Sequence, residues 1–574
     1  MAGTVLAAAV LVALLATAGR GLDLMDESYV LRLVREPDAS RGAGEVYLFG
    51  FLVNPLYAAV GYDIGMFRVL GFLLVAAVAA GTAREHLLLV GPDALRRPRG
   101  RAVVVGVAAA SELVFLLEVR VLSYRSVAVL GLLGVAWGVA RLERGHRRSG
   151  AVMVGGATVV AFVGKPTTAA ALLVGLVVWS VWRRVDRHAL SWGVVGALAA
   201  AAVVCLVARM TPWGVVEYLS GGVEVIDDLD AYRGLAEALG LSAFRPTALL
   251  VFGLPLVVAG LLAVGASVFF PRLLGDLVSM GVLVVTAALV ARLAVVLLAP
   301  TTQGFLILQL GLLTAAVGGA LLWTRWSTMS TPVRSTAMIL AAAPYAFSVG
   351  SNRGLPSLTG QAVAFWVLLV GMLASCAAPR PDGRWPDAAC RVAPLAVTVV
   401  VAVMTTVLLL DGSQGANIRQ ASTRTEIGGG SLALPAATAR DVRRLREVAD
   451  AGGITHDTPV VDLSGKGAGY AIALGGRFLG RAHFYTTWSG RGASAARALR
   501  SVSCEDRARA WLIVPSGGDE TMYDAWSSGG AATIAQYDRV LRFRAEWYGR
   551  LDSFDVLRPT ERSERAVCRP DPPE

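Results

Sequence analysis

The sequence predicts an α-helical membrane protein that crosses the bilayer many times and ends in a small α/β domain. Of its 574 residues, 55% are hydrophobic and only 17% are charged, whereas soluble globular proteins carry about 25% charged residues. Nearly uncharged runs recur from the N-terminus to Leu410, and each is close to the roughly 20 residues that a spanning helix needs. No such run follows Asp411, so the last part of the chain is predicted to fold in water.

The hydrophobic runs predict about thirteen transmembrane helices, within a range of about eleven to fourteen, because several runs are shorter than a usual span. The spans are expected at 4–19, 64–83, 102–118, 127–140, 150–164, 167–182, 192–208, 247–269, 277–298, 304–323, 336–349, 360–377 and 392–410. The segment 46–62 is expected either as a fourteenth helix or as a helix at the membrane surface. Residues 1–10 contain no Lys or Arg, so the first run is expected to be a retained helix and not a cleaved signal peptide.

The distribution of arginines predicts the orientation. With the N-terminus inside, the inner loops contain 18 basic residues and the outer loops before the soluble domain about 11. Because cytoplasmic loops are enriched in Arg and Lys, this orientation is favoured, and an odd number of spans then places the C-terminal domain outside. The net charge of +11 follows from this topology and indicates no nucleic-acid partner. The domain division is 1–410 for the membrane domain and 411–574 for the extracytoplasmic domain.

An acidic pair directly after the first helix is the most informative local pattern. The outer loops 20–63 and 209–246 are the two long ones, and Asp26 and Glu27 lie early in the first. A carboxylate pair at a membrane surface can deprotonate an acceptor hydroxyl or hold a divalent cation. A solvated acidic loop has the same spacing, so it is the position of the pair that favours a functional role.

Other charged residues lie within or beside the hydrophobic runs, where a charge is costly. Lys165 is one of only two lysines in the chain, and it is either an interfacial lysine or a ligand of a lipid phosphate. Glu112 and Glu118 lie on the third span, where a functional role and a structural pair with an arginine are both open. Arg353, after the eleventh span, is a second phosphate candidate, and Arg292 is a weaker one.

The C-terminal domain shows helices alternating with short apolar strands, which predicts a small and partly parallel sheet. Helices are expected at 439–449, 469–474 and 493–500, and strands at 459–463 and 510–514. The glycine-rich stretch 464–469 lacks the spacing of known phosphate-binding loops, so a tight turn is expected there.

The cysteines and histidines of this domain suggest no metal chemistry. Cys504 and Cys568 could form a disulfide if the domain faces an oxidising compartment. His456 and His483 have no cysteine or second histidine at metal-ligand spacing, so no zinc site is expected.

Several motifs together resemble GT-C membrane glycosyltransferases, and in particular the branch of protein O-mannosyltransferases and aminoarabinose transferases. The matching stretches are Asp26-Glu27-Ser28-Tyr29, 122–126, 164–167, 344–352 and, in the C-terminal domain, 462–476. The resemblance implies a GT-C-like membrane domain in a bacterial inner membrane. It also implies inverting transfer of a sugar from a polyprenyl-phosphate donor to a glycan, lipid or protein acceptor outside the cytoplasm.

The resemblance also suggests roles for individual residues. The first acidic residue of the family's motif acts as the base, which corresponds to Asp26, and Glu27 would orient the acceptor or complete the site. Lys165, Arg353, Glu118 and Tyr124 are our candidates for binding donor phosphate or substrate. The lipid-linked sugar is the only co-substrate implied; no protein metal site is expected, and a divalent cation is compatible with the chemistry. Ser28 differs from many mannosyltransferases and leaves the acceptor class open.

Two other functions fit parts of the sequence. In a transporter or lipid flippase, Glu112, Lys165 and Arg292 would line a substrate path, although no clear internal repeat of the kind common in transporters is visible. In a non-catalytic envelope protein, the C-terminal domain would bind a partner or a wall polymer, and the acidic pair would be dispensable.

Overall fold

The computed structural model of the chain describes two main regions and several short stretches between them. The described residues are 2–41, 45, 47–117, 119–228, 314, 318–319, 321–322, 326–351, 358, 360–376, 398–399, 401–409, 418–484, 486, 490–500, 502–527, 533–547 and 550–561. The first region is helical, and the second, from residue 418, combines helices and strands.

The described part of the N-terminal region consists of helices. They are α1 (Ala2–Thr17), α2 (Asp26–Arg35), α3 (Phe49–Ala59), α4 (Ile64–Val90), α5 (Pro92–Arg96), α6 (Pro98–Ser111), α7 (Leu113–Leu116), α8 (Tyr124–Glu143), α9 (Arg147–Gly164), α10 (Pro166–Arg183), α11 (Arg187–Ala208), α12 (Pro212–Asp228), α13 (Thr331–Ser348) and α14 (Val363–Ser375). Within the described residues, α4, α8, α10 and α11 are long and apolar enough to cross a membrane, and α1, α3 and α14 are shorter apolar helices. This region is that of an integral membrane protein.

The described helices lie at the predicted spans 4–19, 64–83, 127–140, 150–164, 167–182, 192–208, 336–349 and 360–377, whereas the predicted span 102–118 is divided at Glu112 into α6 and α7. The predicted spans 304–323 and 392–410 are described only in part. The long outer segments are not simple loops. Segment 20–63 contains α2, a short 3₁₀ turn at Pro37–Ser40, and α3. Since α3 has only 11 residues, it is too short to span a bilayer. Segment 209–246 begins with α12. The predicted spans at 247–269 and 277–298 lie outside the described residues.

Close backbone contact between α8 and α9 organises the centre of the helical region. Gly131 of α8 faces the backbone of Ala161 in α9 so closely that any Cβ at position 131 would collide with it. Small residues at such contacts allow membrane helices to pack tightly in the absence of a hydrophobic driving force. The same helix pair joins the start of α8 to the end of α9, where Gly164 lies against the carbonyl oxygen of Tyr124.

Several helix ends therefore meet at one end of the bundle, which we call the site face. It comprises the C-terminal ends of α1, α9 and α13 and the N-terminal ends of α8 and α10. Arg120, just before α8, donates to the carbonyl oxygen of Arg20 at 2.8 Å and to Thr17 Oγ1 at 2.9 Å. Lys165, between α9 and α10, donates to the carbonyl oxygen of Phe347 near the end of α13 at 2.8 Å.

The C-terminal region is an α/β domain built on a five-stranded sheet. Its strands are β1 (Ala421–Ile427), β2 (Gly430–Pro435), β3 (Pro459–Asp462), β4 (Arg477–Phe478), β5 (Trp511–Pro515), β6 (Asp538–Trp547) and β7 (Arg550–Arg558). Its helices are α15 (Ala436–Ala451), α16 (Ala468–Leu474), α17 (Arg491–Arg500), α18 (Cys504–Ala508) and α19 (Glu520–Ser527). The sheet order is β4-β3-β5-β7-β6, with β3 parallel to both β4 and β5 and the other pairs antiparallel.

The predicted elements of this domain are confirmed, and two hairpins were not foreseen. The expected helices and strands correspond to α15, α16, α17, β3 and β5. The β6–β7 hairpin extends the sheet, and the separate β1–β2 hairpin contacts the membrane region. There, Ala433 donates its N–H to the carbonyl of Gly19 at 2.9 Å, and Gly21 donates to the carbonyl of Ala433 at 2.8 Å. Backbone hydrogen bonds therefore attach the hairpin to the chain directly after α1.

The α8–α9 contact predicts that Gly131→Ala destabilises the protein by about 1–3 kcal/mol, because the added methyl group overpacks a backbone contact. The measurement is unfolding of the purified full-length protein in detergent, by heat or by denaturant. Gly175→Ala in α10 is the matched control, since a Cβ there meets nothing within 4 Å. The control should be neutral or slightly stabilising because Ala is the better helix former. Equal effects of the two substitutions would contradict this packing.

Candidate functional site

The acidic pair Asp26 and Glu27 lies at the N-terminal end of α2, at the site face. Asp26 and Glu27 form the first turn of α2, where negative charge interacts favourably with the helix N-terminus. The turn that precedes α2 is fixed by its own hydrogen bonds. Asp23 accepts from the N–H of Met25 at 2.9 Å through Oδ1, and its carbonyl oxygen accepts from the hydroxyl of Ser28 at 2.7 Å. The two carboxylates therefore lie on a helix turn of defined geometry.

The two acidic residues have different surroundings. Asp26 is partly exposed. Glu27 is fully buried and forms a two-point ion pair with Arg68 of α4, which is also fully buried: Nε to Oε1 at 2.8 Å and Nη2 to Oε2 at 2.7 Å. A bidentate ion pair of this kind adds geometric specificity to the attraction between the two charges.

Arg68 also binds the chain between α1 and α2. It donates to the carbonyl oxygens of Ala18 at 2.7 Å, Gly21 at 2.8 Å and Arg20 at 3.2 Å. One guanidinium thereby connects α4, the end of α1 and the start of α2. Arg68 was not among the predicted site residues. Its position inside the predicted span 64–83 could have indicated its importance, because a charged residue within a membrane span is usually paired.

Asp23 is a further member of the acidic group whose importance the sequence did not reveal. Burial, together with the neighbouring charge of Asp26, raises the pKa of the Asp23 carboxyl from 3.8 to about 7. A carboxyl that titrates near neutral pH can accept or donate a proton at the pH of the cell. The segment that leads into α2 therefore carries a carboxyl of raised pKa, that of Asp23, close to the carboxylate of Asp26, and both residues are partly exposed.

Lys165 lies at the site face but has a structural partner. It is buried at the junction of α9 and α10, donates to the carbonyl oxygen of Phe347, and lies 5.6 Å from the centre of the Phe347 ring. Cations stabilise the C-terminal ends of helices, and here Lys165 stabilises the end of α13. Its phosphate-binding role stays a prediction.

Tyr124, the first residue of α8, belongs to an aromatic group at the same face. Its ring stacks on that of Tyr47, with ring centroids 4.2 Å apart. Its hydroxyl accepts from Nε of Arg125 at 2.9 Å. Tyr218 of α12 joins the group by donating to the carbonyl oxygen of Tyr47 at 3.3 Å. Aromatic side chains thus surround part of the site face.

The remaining candidates are placed only in part. Arg353, Glu118 and Arg292 lie outside the described residues. Glu112 is fully buried between α6 and α7, and neither of its carboxyl oxygens has a hydrogen-bond partner among the described residues. Arg120 binds residues at the end of α1, so the described part of the chain does not contain a Glu112–Arg120 pair.

Elsewhere in the described residues, we looked for metal ligands, a phosphate-binding loop and a disulfide. No group of three His, Cys, Asp or Glu residues there could hold a metal ion. The turn 464–469 is held by Asp462, whose carboxylate accepts from the N–H groups of Ser464 at 3.0 Å and Gly467 at 2.8 Å. This agrees with a tight turn, because these amides are already bonded. Cys504 is disulfide-bonded, whereas Cys568, its expected partner, lies outside the described residues.

A groove of about 490 Å³ lies between α12 and the C-terminal domain. Its charged lining residues are Arg41, Arg209, Glu217, Glu224 and Arg497. Arg497 pairs with Glu224, and Arg41 pairs with Asp38 at 2.6 Å. The basic side chains are therefore partly neutralised.

Comparison with solved structures finds five similar chains. The chain is similar to the crystal structure of ArnT from Cupriavidus metallidurans bound to undecaprenyl phosphate, with a TM-score of 0.45 and 13% sequence identity. The similarity covers 96% of this chain and 97% of that one. No family model matches the chain, and no curated protein does. The similarity assigns no role to any residue.

The Glu27–Arg68 pair predicts a strong effect of single substitutions. Arg68→Met should destabilise the protein by about 3–5 kcal/mol because it leaves the Glu27 carboxylate buried and unpaired. Replacing both partners, as Glu27→Gln with Arg68→Met, should recover much of that loss. Unfolding of the full-length protein in detergent measures both effects. Arg147→Met is the control, since the Arg147–Asp186 pair is exposed and contributes about 0–1 kcal/mol. An Arg68→Met protein as stable as the control would contradict the assignment.

The raised pKa of Asp23 predicts a pH effect with a definite sign. Between pH 3.8 and about 7 the folded protein holds this proton while the unfolded chain releases it. The free energy of unfolding therefore falls as the pH rises through that window. Asp23→Asn removes this contribution, so the wild type should lose stability relative to the variant between pH 4.5 and 7. Unfolding titrations at several pH values measure the difference, and a difference independent of pH would show that the pKa is not raised.

Proposed function

We propose that this protein is an integral-membrane glycosyltransferase that moves a sugar from a polyprenyl-phosphate donor to an extracytoplasmic acceptor. The observation that supports it most is the start of α2. There the partly exposed Asp26 lies on a helix turn whose next residue is locked by a buried ion pair, at one end of a bundle of apolar helices. A polyprenyl donor needs both surroundings, because its chain dissolves in lipid and its sugar in water.

The chemistry assigned to Asp26 is general base catalysis. Asp26 takes the proton of the acceptor hydroxyl as that oxygen attacks the anomeric carbon of the donor sugar. A carbon–oxygen bond to the acceptor forms, the bond to the phosphate breaks, and polyprenyl phosphate leaves with the electron pair. Attack opposite to the leaving group inverts the anomeric configuration.

Glu27 has a positioning role in this proposal, because both of its carboxylate oxygens already bind Arg68. Of the two roles that the family resemblance suggested for Glu27, orienting the acceptor or completing the site, this proposal adopts the second. The ion pair holds the first turn of α2 in place, and small displacements of a catalytic group are expensive: about 1 Å can reduce a rate by about 100-fold.

The leaving phosphate requires positive charge near the site face. Lys165 and Arg353 are proposed for this role, with Glu118 and Tyr124 as further substrate contacts. The proposal requires no metal ion. Activity in EDTA, compared with activity in added Mg²⁺, measures any assistance by a divalent cation.

The location follows from the arginine distribution. We propose a bacterial inner membrane, with the N-terminus in the cytoplasm and the site face and C-terminal domain outside it. Cysteine-labelling reagents that do not cross membranes test this orientation in whole cells. A cysteine introduced at the exposed Gly517 should react from outside, and one at the exposed Arg96 only after lysis.

A transporter or flippase is the second candidate, and the buried Glu112 favours it, because carboxyl groups inside membranes often serve proton or substrate paths. A non-catalytic envelope protein is the third. The candidates differ in what they need. Transport requires Glu112 and forms no glycosidic bond, and an envelope-binding protein does not need Asp26.

Asp26→Asn should reduce sugar transfer by at least about 100-fold, since the amide cannot accept the proton, while folding is preserved because the side chain keeps its shape. The measurement is transfer from a panel of labelled polyprenyl-phosphate sugars by the full-length protein in proteoliposomes. Asp38→Asn is the matched control: it removes an exposed carboxylate in the same outer segment and should retain full activity. Full transfer by Asp26→Asn would rule out its role as base.

A further inference from the structure

The C-terminal domain lies directly against α2, the helix that begins with Asp26. The N–H of Gly469 in α16 donates to the carbonyl oxygen of Leu24 at 2.8 Å. Farther along, Glu36 accepts from the N–H of Phe478 in β4 at 3.0 Å. The contacts therefore extend from two residues before Asp26 to the end of the helix.

Gly469 allows this close approach. A Cβ at position 469 would lie 2.6 Å from Cδ2 of Leu24, 2.9 Å from its Cα and 2.9 Å from Oγ of Ser28. Contacts below 3.0 Å require something to move, and here one of the three atoms is backbone. The position is inside a helix, where alanine is intrinsically more favourable than glycine. Steric contact with the start of α2 therefore explains the glycine, and helix propensity does not.

Arg32 forms the second part of the contact. Its side chain is buried and donates to the carbonyl oxygens of Val460 at 3.2 Å and Ala482 at 3.3 Å, both in the C-terminal domain. Burial lowers the pKa of this guanidinium to about 10, against the opposing effect of the Glu36 and Asp462 carboxylates. A buried charge is strongly unfavourable unless it is hydrogen-bonded. Arg32 therefore restricts α2 to the position in which both carbonyl groups are reached.

A third contact lies between these two. The ring of Tyr29 packs on His483 with centroids 5.6 Å apart, and its hydroxyl binds Glu45 at 3.0 Å. All of these contacts involve α2 or the residues directly beside it, and all are separate from the Glu27–Arg68 pair. The helix is consequently held by the membrane region on one side and by the C-terminal domain on the other.

We propose that the C-terminal domain is a positioning element for the active site, which sets the place of Asp26 through Gly469 and Arg32. The inference rests on the proposed function for its catalytic consequence, but not for the contact itself. Gly469 and Arg32 are not proposed to touch substrate. They position α2 and thereby Asp26, and the rate of the reaction depends on where that catalytic group lies.

The β1–β2 hairpin makes the idea testable without detaching the domain. It binds the backbone of Gly19 and Gly21, and Gly429 donates to the carbonyl oxygen of Tyr62 at 3.0 Å. These bonds do not involve Gly469 or Arg32. A substitution at either residue is therefore expected to shift or loosen α2 while the domain stays attached.

The test compares Gly469→Ala with Gly517→Ala in the full-length protein in lipid nanodiscs. Gly517 lies in the same domain, and a Cβ there meets nothing within 4 Å. Hydrogen–deuterium exchange is measured on the peptide that contains residues 26–35, and transfer kinetics are measured in parallel. Gly469→Ala should accelerate exchange in α2 and lower kcat at least about tenfold with little change in the donor KM. Gly517→Ala should change neither.

Arg32→Met provides an independent variant, with Arg446→Met as its control because the Arg446–Glu426 pair is exposed. Arg32→Met should give the same two effects, and the control neither. Unchanged exchange in α2 for both Gly469→Ala and Arg32→Met would overturn the inference, whatever the protein's activity is. Faster exchange with unchanged kcat would overturn the catalytic part. If the wild type transfers no sugar, the proposed function fails while the exchange data still decide the contact.

Discussion

The buried ion pair between Glu27 and Arg68 is the interaction on which the arrangement of the site depends. Both side chains are fully buried, and such a pair is stable only when its remaining hydrogen-bonding groups are also satisfied. Arg68 meets that condition by binding three carbonyl oxygens between α1 and α2. The turn after α1 and the first turn of α2 are thereby fixed to α4. The ion pair of Glu27 therefore helps to position Asp26, the residue directly before it in the sequence.

The rest of the molecule places this pair between the membrane region and the C-terminal domain. The apolar helices provide a lipid-facing body, and the close α8–α9 contact draws the end of α9 against the start of α8. Lys165 and Tyr124 are brought to the same end as Asp26 by this packing. The C-terminal domain then covers the other side of α2 through Gly469 and Arg32. The low charge content of the chain leaves few ionisable groups at the site face, and most of those described are in specific contacts.

The sequence alone predicted a helical membrane region followed by an α/β domain, and it predicted that the acidic pair directly follows the first helix. Long apolar runs and their loss after Leu410 are local signals, as are the strands and helices around Val460 and Ile513. The partner of Glu27 was not predictable in the same way, because Arg68 is 41 residues away and pairing over that distance is a property of the fold. The raised pKa of Asp23 likewise depends on burial. The tight contact at Gly469 depends on two regions more than 400 residues apart, so the motif alone suggested only a turn.

In the proposed mechanism, the Glu27–Arg68 pair holds Asp26 in its catalytic place. The most direct test is the rate of sugar transfer from polyprenyl phosphate by the Glu27→Gln, Arg68→Met double variant, which retains Asp26 and removes the pair without leaving a buried charge. This variant should remain folded and inserted but transfer sugar at least about 100-fold more slowly than the wild type. Transfer at the wild-type rate by the folded double variant would contradict this mechanism.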